Sequence, residues 1–556
     1  MRSAAVAVSL LCASAPVLYI ALRVAAACRN LPFWDEFDSV LGFLLRLDEA
    51  AGWREKVAQF FALENEHRTV TSRMIVAALY WITGTVNFDF ICIAGNLFLV
   101  GMCAALVWSV QGFSRRVRLV VVLSLGLFQL ELYETFLWSG ASIDHFQVLF
   151  LAAAALVLLG HRARWTSLLG VGFAVLATFT LAHGCGVWVA GAVLLWFTGR
   201  RRMLVVWAGC ALVALAVFFQ GFAIYSSHRL TAWSPAVLGQ LGRFWLALLG
   251  APLTFGARDY APGFGLLLLA GLGGLLLRGI GRREPVIASL ALFAIGSLAL
   301  VAFGRLPIAG PRIESRYLVL GALAWSLTFF LALEQWTKPG RPFRLLLLGL
   351  PALSAFNLCA DLRAAPFAET FLISRDYAAV RFKQFGEDGH AGGFQLHPDR
   401  ERAKAVLTQT ALRGLYEMPR FSDRCVVPAP RANPAMVTYV TDLTATGPTV
   451  GFEGWAMLPT RRSQPGEIRV VLRSDHSLLT LTTFSMPRPD VARAFLRPDW
   501  HDCGYNFVIL RHRLPPEKFQ IGLLIVHDGR ADVKMTEQWL DLRSAHSEPT
   551  QLASGQ

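Results

Sequence analysis

Long apolar runs recur from the N-terminus to about residue 360 of this chain. A bilayer core about 30 Å thick needs roughly 20 apolar residues per helix, and most of these runs approach or exceed that length. Composition agrees, because 55% of the 556 residues are hydrophobic and only 16% are charged, whereas soluble domains carry about 25% charge. The sequence therefore predicts a polytopic α-helical membrane protein, with the lipid bilayer as its first partner.

The length criterion predicts about eleven membrane spans. They are 4–27, 88–112, 118–137, 145–160, 166–182, 186–198, 203–224, 262–278, 285–303, 316–335 and 343–358. Two further apolar pieces, 74–82 and 244–255, are too short to cross and are expected to lie at the membrane interface. For the first run a cleaved signal peptide is the alternative, but Arg23 and the length of the run favour a span.

The net charge of +14, from 52 basic and 38 acidic residues, would suggest nucleic acid in a soluble protein. Here basic residues gather in short clusters between the apolar runs, as cytoplasmic loops do. The clusters are Arg115/Arg116/Arg118, Arg162/Arg164, Arg200/Arg201/Arg202, Arg278/Arg282/Arg283 and Lys338/Arg341/Arg344. Spans that alternate from a cytoplasmic N-terminus place every cluster in the cytoplasm. We expect an inner-membrane protein with no nucleic-acid partner.

The chain becomes more polar after the last span, and this alternation puts it on the periplasmic or extracellular side. Residues 359–435 predict a helical linker region, 436–545 alternate apolar and polar residues as a small β-sandwich does, and 546–556 predict a disordered tail. Trp455 and Trp500 fit either an acceptor-binding surface or the core, and we favour the core. The sequence leaves open whether Cys425 and Cys503 form a disulfide there.

The first exported loop, 28–87, opens on Trp34-Asp35-Glu36-Phe37-Asp38. Three carboxylates so close together repel one another, so one of them is expected to have a raised pKa or to meet a cation. The functional interpretation is a general base or a metal ligand. The alternative is a solvated helix start that Asp35 caps.

Other polar groups gather in the remaining exported segments. The first loop ends on Glu66, His67 and Arg68, followed by Arg73, and the turn 138–147 contains Asp144 and His145. Solvated polar loops are the alternative interpretation, yet guanidinium groups at headgroup depth suit the phosphate of a lipid-linked substrate.

The last exported loop, 304–317, carries Arg305, Arg312 and Arg316 beside Tyr317. Arginine outside the cytoplasm opposes the positive-inside rule, and it is costly at a membrane unless it serves a purpose. Phosphate binding is the purpose that we infer.

Residues 1–358 resemble the GT-C membrane glycosyltransferases, in a poorly characterised bacterial branch. The resemblance rests on Trp34-Asp35-Glu36-Phe37-Asp38, Asn65-Glu66-His67-Arg68 and Ser315-Arg316-Tyr317, in that order and on the exported side. Gly451-Phe452-Glu453-Gly454-Trp455 looks like part of a β-sandwich module attached to various bacterial glycosyltransferases.

The resemblance implies inverting transfer of a sugar from a polyprenyl-phosphate donor to an acceptor glycan, lipid or protein. Asp35 would be the general base within the catalytic pair Asp35 and Glu36. The groups expected to bind substrate or the lipid phosphate are Glu66, His67, Arg68, Arg73, Asp144, His145, Arg312, Arg316 and Tyr317.

Metal dependence stays open, since some members of that class use a divalent ion and others do not. Oxygen ligands for Mg²⁺ or Mn²⁺ could come from Asp35, Asp38, Glu66 and Asp144, but their spacing does not decide the matter.

Two other functions compete with sugar transfer. A transporter or flippase for lipid-linked sugars would also be polytopic and would also bind phosphate. It should carry ionisable groups at mid-membrane depth and internal repeats, whereas the acids here cluster in exported loops. A glycan polymerase or ligase shares the donor chemistry and differs mainly in its acceptor.

Overall fold

The structure is a computed structural model, and it describes residues 2–27, 29–64, 67–222, 234–337, 344–385, 396–418, 430–444, 449–459, 467–511, 514–527 and 530–543. The chain forms two compact units. The first consists of Met1–Ala368 with Ala405–Glu417, and the second of Glu369–Lys404 with Met418–Gln556. The candidate site lies in the first unit.

The first unit is helical, and two of its helices, Arg344–Phe385 and Arg400–Leu412, are divided between the two units. Its helices are α1 Arg2–Ala27, α2 Phe43–Glu49, α3 Trp53–Phe61, α4 Val70–Thr83, α5 Phe88–Ser109, α6 Phe113–Leu127, α7 Tyr133–Leu137, α8 Ser139–Gly160, α9 Arg164–Thr178, α10 Gly186–Phe197, α11 Arg201–Phe219, α12 Pro235–Gly250, α13 Ala261–Leu277, α14 Ile280–Arg283, α15 Pro285–Ala309, α16 Leu318–Trp336, α17 Arg344–Phe385 and α18 Arg400–Leu412.

Membrane-crossing length is common among these helices. In the described part of the chain, 8 helices are long and apolar enough to cross a membrane, or 9 if the bent pair α6 and α7 counts as one span. The polytopic helical class is therefore confirmed, and the predicted number of about eleven spans is approximate. The difference comes partly from α9 and α10, which have 15 and 12 residues.

The helices share two chemically different ends. At one end Glu334 pairs with Arg115 and Arg118 at 2.8 and 2.6 Å, and the Arg115 guanidinium also pairs with Glu284. Arg200 reaches the same neighbourhood by donating to the Leu159 carbonyl on α8. We call this the basic end. The basic clusters near residues 115, 162, 200 and 280 all begin or end helices there, while Lys338 and Arg341 lie outside the described residues.

The opposite end of α8, α16 and the α6–α7 pair carries the candidate residues, and we call it the acidic end. Ser139 at the start of α8 contacts Glu36, and Arg316, just before α16, contacts Glu134 of α7. A helix of 22 residues such as α8 is about 33 Å long at 1.5 Å per residue. The two ends are therefore separated by roughly the thickness of a bilayer core.

One sequence prediction about the helices is wrong. The piece 244–255 is part of a longer element, because α12 begins at Pro235 and the apolar stretch Pro235–Leu253 is 19 residues long. The Ser234 side chain accepts from the Val237 amide and so caps this helix, as N-cap serines do. Gln240 and Arg243 lower the mean hydropathy of the first turns, so a hydropathy criterion leaves these turns out of the apolar piece. The helix packs along α13 and α15, where the Trp245 indole donates to the Ile295 carbonyl.

The other short piece is a helix of limited length, as predicted. Helix α4 has 14 residues, Val70–Thr83, and ends where Gly84 adopts a left-handed φ of 74°. A glycine tolerates this conformation because it has no Cβ. The helix thus stops well short of a full crossing.

The second unit contains a sandwich of two sheets, as predicted. The strands are β1 Arg431–Ala432, β2 Val437–Thr444, β3 Thr449–Met457, β4 Glu467–Arg473, β5 Leu478–Thr482, β6 Phe484–Met486, β7 Gly504–Leu510, β8 Lys518–His527 and β9 Arg530–Asp541, with the short helix α19 Pro489–Ala494. The sheet orders are β1-β9-β8-β4-β5 and β2-β3-β7-β6.

Alternate residues of both sheets form one apolar core in this unit, with Phe452 and Val470 among them. Trp500 is buried and Trp455 is partly buried against it, so Trp500 belongs to the core. Cys503 is buried with a free thiol, and Cys425 lies outside the described residues.

Candidate functional site

Asp144 and His145 lie on a helix, so their predicted position in an exported turn is wrong. Helix α8 already begins at Ser139, and the turn is confined to Trp138, whose backbone is extended. Ser72 of α4 donates to the Asp144 carboxylate at 2.5 Å. Both side chains therefore remain at the acidic end, in the second turn of α8.

Glu36 ties the first loop to the start of α8. Its buried carboxylate accepts from the Phe33 amide at 2.6 Å and from the Ser139 hydroxyl and the Gly140 amide. A carboxylate at a helix N-terminus meets unpaired backbone N–H groups and the positive end of the helix dipole. Glu36 therefore positions the loop, and its carboxylate is already occupied by three donors.

Asp35, the neighbouring acid, is exposed. The residue before it, Trp34, adopts a left-handed φ of 51°, which is rare for a bulky side chain. Such backbone strain persists only where the surroundings hold it, and it concentrates at functional sites. The hydrogen bonds that Glu36 accepts from Phe33, Ser139 and Gly140 hold this segment of backbone in place. They leave Asp35 at the surface of a rigid turn, followed by the π-helical segment Phe37–Gly42.

The acids of the first loop interact with one another through space. Burial raises the pKa of the Glu64 carboxyl above its ordinary value, Asp38 and Asp35 act in the same direction, and Arg73 and Arg46 oppose them. The acid whose pKa rises here is Glu64, mainly through its burial, and it lies outside the Asp35, Glu36 and Asp38 cluster for which the sequence predicted a raised pKa. Asp144 is also within electrostatic range of Asp35 and Glu64.

Two of the arginines expected to bind the lipid phosphate donate to main-chain carbonyls. Arg68 donates from Nε to the Phe218 carbonyl at 2.8 Å, and its terminal nitrogens donate to the carbonyls of Phe61 and Gln220. Arg73 is 1% exposed and donates to main-chain carbonyls near Phe60 as well as to Glu64 at 3.1 Å. These donors are engaged within the fold, whereas the Nε of Arg73 is buried without a hydrogen-bond partner among the described residues.

His67 joins this loop to the turn between α9 and α10. Its backbone forms a reciprocal pair of hydrogen bonds with Glu64, each 2.9 Å long, and its Nδ1 accepts from the Ala182 amide at 3.3 Å. Glu66, the remaining candidate of this segment, lies outside the described residues.

The acidic loop and Arg316 meet through two aromatic rings. The Phe33 ring lies edge-on to Trp138 with centroids 5.1 Å apart, and the Arg316 guanidinium lies 5.3 Å from the Trp138 ring centroid. The Arg316 side chain is 15% exposed and pairs with Glu314, while its amide donates to Glu134 at 3.0 Å. Residues of the first loop and of the segment before α16 thus converge at the acidic end.

The other two arginines of the last exported loop differ in their surroundings, and two residues that sequence reasoning did not select, Glu134 and Trp138, complete this arrangement. Arg305 is half-buried with its guanidinium 5.6 Å from the Tyr317 ring centroid, and it forms no ion pair with any residue that the structure describes. Arg312 is exposed. Glu134 and Trp138 were hidden at the end of an apolar run, although two acids, Glu131 and Glu134, within that run were an available signal.

A row of rings continues from Arg316 into the bundle. The guanidinium lies 5.2 Å from the Tyr317 ring, Tyr317 meets His145 edge-on at 5.8 Å, and His145 stacks on His183 at 6.0 Å. His145 and His183 are 8% and 6% exposed.

A metal centre finds no support in this part of the chain. Among the residues described, no group of three or more His, Cys, Asp or Glu side chains is arranged to hold an ion. Asp35, Asp38 and Asp144 thus form no such group, and Glu66 lies outside the described residues.

Comparisons with known proteins give no family assignment. No protein-family model, no curated protein and no solved structure matches the chain significantly.

Proposed function

We propose that the chain is a membrane glycosyltransferase of the GT-C kind. It moves a sugar from a polyprenyl-phosphate donor to an acceptor glycan, lipid or protein at the acidic end of the bundle. The observation that carries the proposal is the convergence of the loop segment that contains Asp35 with Arg316, through the contact of Phe33 with Trp138 and of Trp138 with the guanidinium. Transfer from a lipid phosphate needs a base and a cation at one site.

The reaction is a single displacement. An acceptor hydroxyl attacks the anomeric carbon, the bond from that carbon to the phosphate oxygen breaks, and the configuration inverts. Asp35 takes the hydroxyl proton, and polyprenyl phosphate leaves with the bonding electron pair. A positioned base is worth about 10² to 10⁴ in rate. The exposure of Asp35 beside a rigid turn suits a base that must reach a second substrate.

The arginines at the acidic end differ in how far neighbouring acids compensate their charge, and this difference supports an order among the proposed phosphate ligands. Arg316 already pairs with Glu314, so its positive charge is largely compensated. Arg305 approaches the same Tyr317 ring and forms no ion pair with described residues. A phosphate beside Tyr317 would therefore gain most from Arg305, with Arg316 as the second guanidinium. Arg68 and Arg73 are not assigned to the phosphate, because they hold main-chain carbonyls.

The basic end is proposed to face the cytoplasm by the positive-inside rule. The chemistry then takes place on the exported side of an inner membrane. The N-terminus is cytoplasmic, and the β-sandwich follows the last span on the exported side.

The test compares two amide substitutions at neighbouring positions, Asp35→Asn and Glu36→Gln, in cells that lack the wild-type gene. Envelope glycans and lipid-linked sugars are measured with and without each variant. Asp35→Asn should fold with wild-type thermal stability, abolish the glycan modification and let the lipid-linked donor accumulate. Glu36→Gln should instead lower the apparent unfolding temperature, because it weakens the bonds to Ser139 and Gly140.

Two results would contradict the proposal. Cells with Asp35→Asn that make the wild-type glycan would show that Asp35 is not the base. Deletion of the gene without any change in envelope glycans or lipid-linked sugars would exclude sugar transfer.

A further inference from the structure

Three buried ring nitrogen atoms at the acidic end have no hydrogen-bond partner in the described part of the chain. They are Trp138 Nε1, His145 Nδ1 and His183 Nε2. Their side chains are 5%, 8% and 6% exposed, in that order. A folded chain normally pairs buried polar atoms, because an unpaired one has lost its hydrogen bonds to water. We call these three side chains the recognition row.

The side chains of the recognition row lie next to Tyr317 and Arg316, where the proposed function places the phosphate. His183 stacks on His145, and His145 lies 5.8 Å from Tyr317. The Arg316 guanidinium then links Tyr317 to Trp138, at 5.2 and 5.3 Å from the two ring centroids. All three unpaired atoms therefore belong to one connected cluster.

Other buried tryptophans of the bundle are paired. Trp188 donates to the Thr178 hydroxyl at 2.8 Å, and Trp207 donates to the Trp188 carbonyl at 2.7 Å. The bundle thus supplies acceptors for indole N–H groups elsewhere. The unpaired state of Trp138 is a local property of the acidic end.

We infer that the recognition row binds the hydroxyl groups of the transferred sugar. This inference rests on the proposed function. An indole N–H only donates, whereas a neutral imidazole carries one donor and one acceptor. A sugar hydroxyl can satisfy both kinds of atom, because it donates one hydrogen bond and accepts others. An ionised phosphate only accepts, and a polyprenyl tail does neither. The phosphate and the sugar therefore divide the site, with the phosphate at Arg305 and Arg316.

The experiment uses the purified full-length chain in detergent and measures thermal unfolding during titration with defined lipids. The probes are undecaprenyl phosphate alone and its conjugates with glucose, mannose and arabinose. The test variants are Trp138→Phe, His145→Phe and His183→Phe, which keep an aromatic ring and remove the polar atoms. Trp188→Phe is the matched control, because it removes an indole N–H that is paired.

The wild type should bind at least one conjugate more tightly than undecaprenyl phosphate. Each recognition-row variant should bind that conjugate about 3- to 10-fold more weakly, the effect of one net hydrogen bond. Its affinity for undecaprenyl phosphate should fall less than its affinity for the conjugate, and its ligand-free unfolding temperature should stay above that of Trp188→Phe. Trp188→Phe should show the opposite pattern, with a lower unfolding temperature and unchanged preference for the conjugate.

The possible failures are distinguishable. If the variants keep the wild-type preference for the conjugate, the sugar does not bind at the recognition row, and the proposed function is unaffected. Variants that lose ligand-free stability as Trp188→Phe does would assign these atoms to the fold, for example through ordered water. A wild type that binds no conjugate better than the bare carrier would overturn the inference and the proposed function together.

Discussion

At the scale of single residues, neighbours of the same type have different environments. Asp35 is exposed, whereas Glu36 is 1% exposed and accepts from Phe33, Ser139 and Gly140. The resemblance implied a catalytic pair with Asp35 as the base, but the motif itself gives no role to Glu36 as a residue that holds the loop. Two of the partners of Glu36, Ser139 and Gly140, lie more than 100 positions away in the sequence, so no local pattern could separate the two roles.

The arginines of the last exported loop provide a test at this scale. Arg305→Gln should weaken binding of undecaprenyl phosphate by about 10-fold or more, because a charge-assisted bond to phosphate is lost. Arg312→Gln should leave the affinity within about 2-fold, since Arg312 is exposed and rim charges contribute little. Thermal-shift titration of the two purified variants measures both values.

The comparison has a clear opposite outcome. If Arg312→Gln lowers the affinity for undecaprenyl phosphate more than Arg305→Gln does, the phosphate binds at the exposed side of the loop and not beside Arg305. The unfolding temperature without ligand serves as the control for folding of each variant.

At the scale of elements, the bent pair α6 and α7 is completed by a distant helix. The two parts meet at 57° around residues 128–130. Asn357 of α17 donates to the carbonyls of Leu125 and Phe128 at 3.1 and 2.9 Å, and Asp361 accepts from the Leu130 amide at 2.7 Å. A break inside a membrane needs such partners, because lipid offers none. The sequence showed one continuous span here, since hydropathy does not register a change in helix direction.

Asn357→Leu should destabilise the helical unit by about 1–3 kcal/mol. It leaves two buried carbonyl groups without a donor while keeping a side chain of similar size. The neighbouring substitution Leu358→Ala should have little effect, because Leu358 is 57% exposed. Thermal unfolding of the detergent-solubilised chain measures the difference. Equal stability of the two variants would show that the contacts of α17 do not stabilise the bend.

At the scale of the whole molecule, charge is sorted between the two ends of the bundle. The basic end combines Glu334 with Arg115 and Arg118, and the acidic end gathers Asp35, Glu64 and Asp144. This sorting follows from local sequence, because basic loops between apolar runs resist translocation. Helices α9 and α10 have only 15 and 12 residues, so their length gives the weakest support for a membrane crossing.

Reporter fusions after Ala163, Leu181 and Gly199 test the crossing of these two helices. Alkaline phosphatase, which is active only when exported, should be active after Leu181 and inactive after the other two positions. A cytoplasmic reporter such as β-galactosidase should give the reverse pattern and serves as the control. Equal phosphatase activity at all three positions would show that α9 and α10 do not cross.

The sequence by itself determined the class of the molecule, the end of the bundle at which the candidate residues lie and the β-sandwich. These properties depend on sums over contiguous residues, namely hydropathy along a run, charge in a loop and alternation along a strand. Only the tertiary structure decided that Glu36 and Arg73 hold the loop, that α12 is long and that Arg305 stands beside Tyr317. The physical reason is that a polar side chain takes its role from its partners, and in a helical bundle those partners come from segments far apart in the chain.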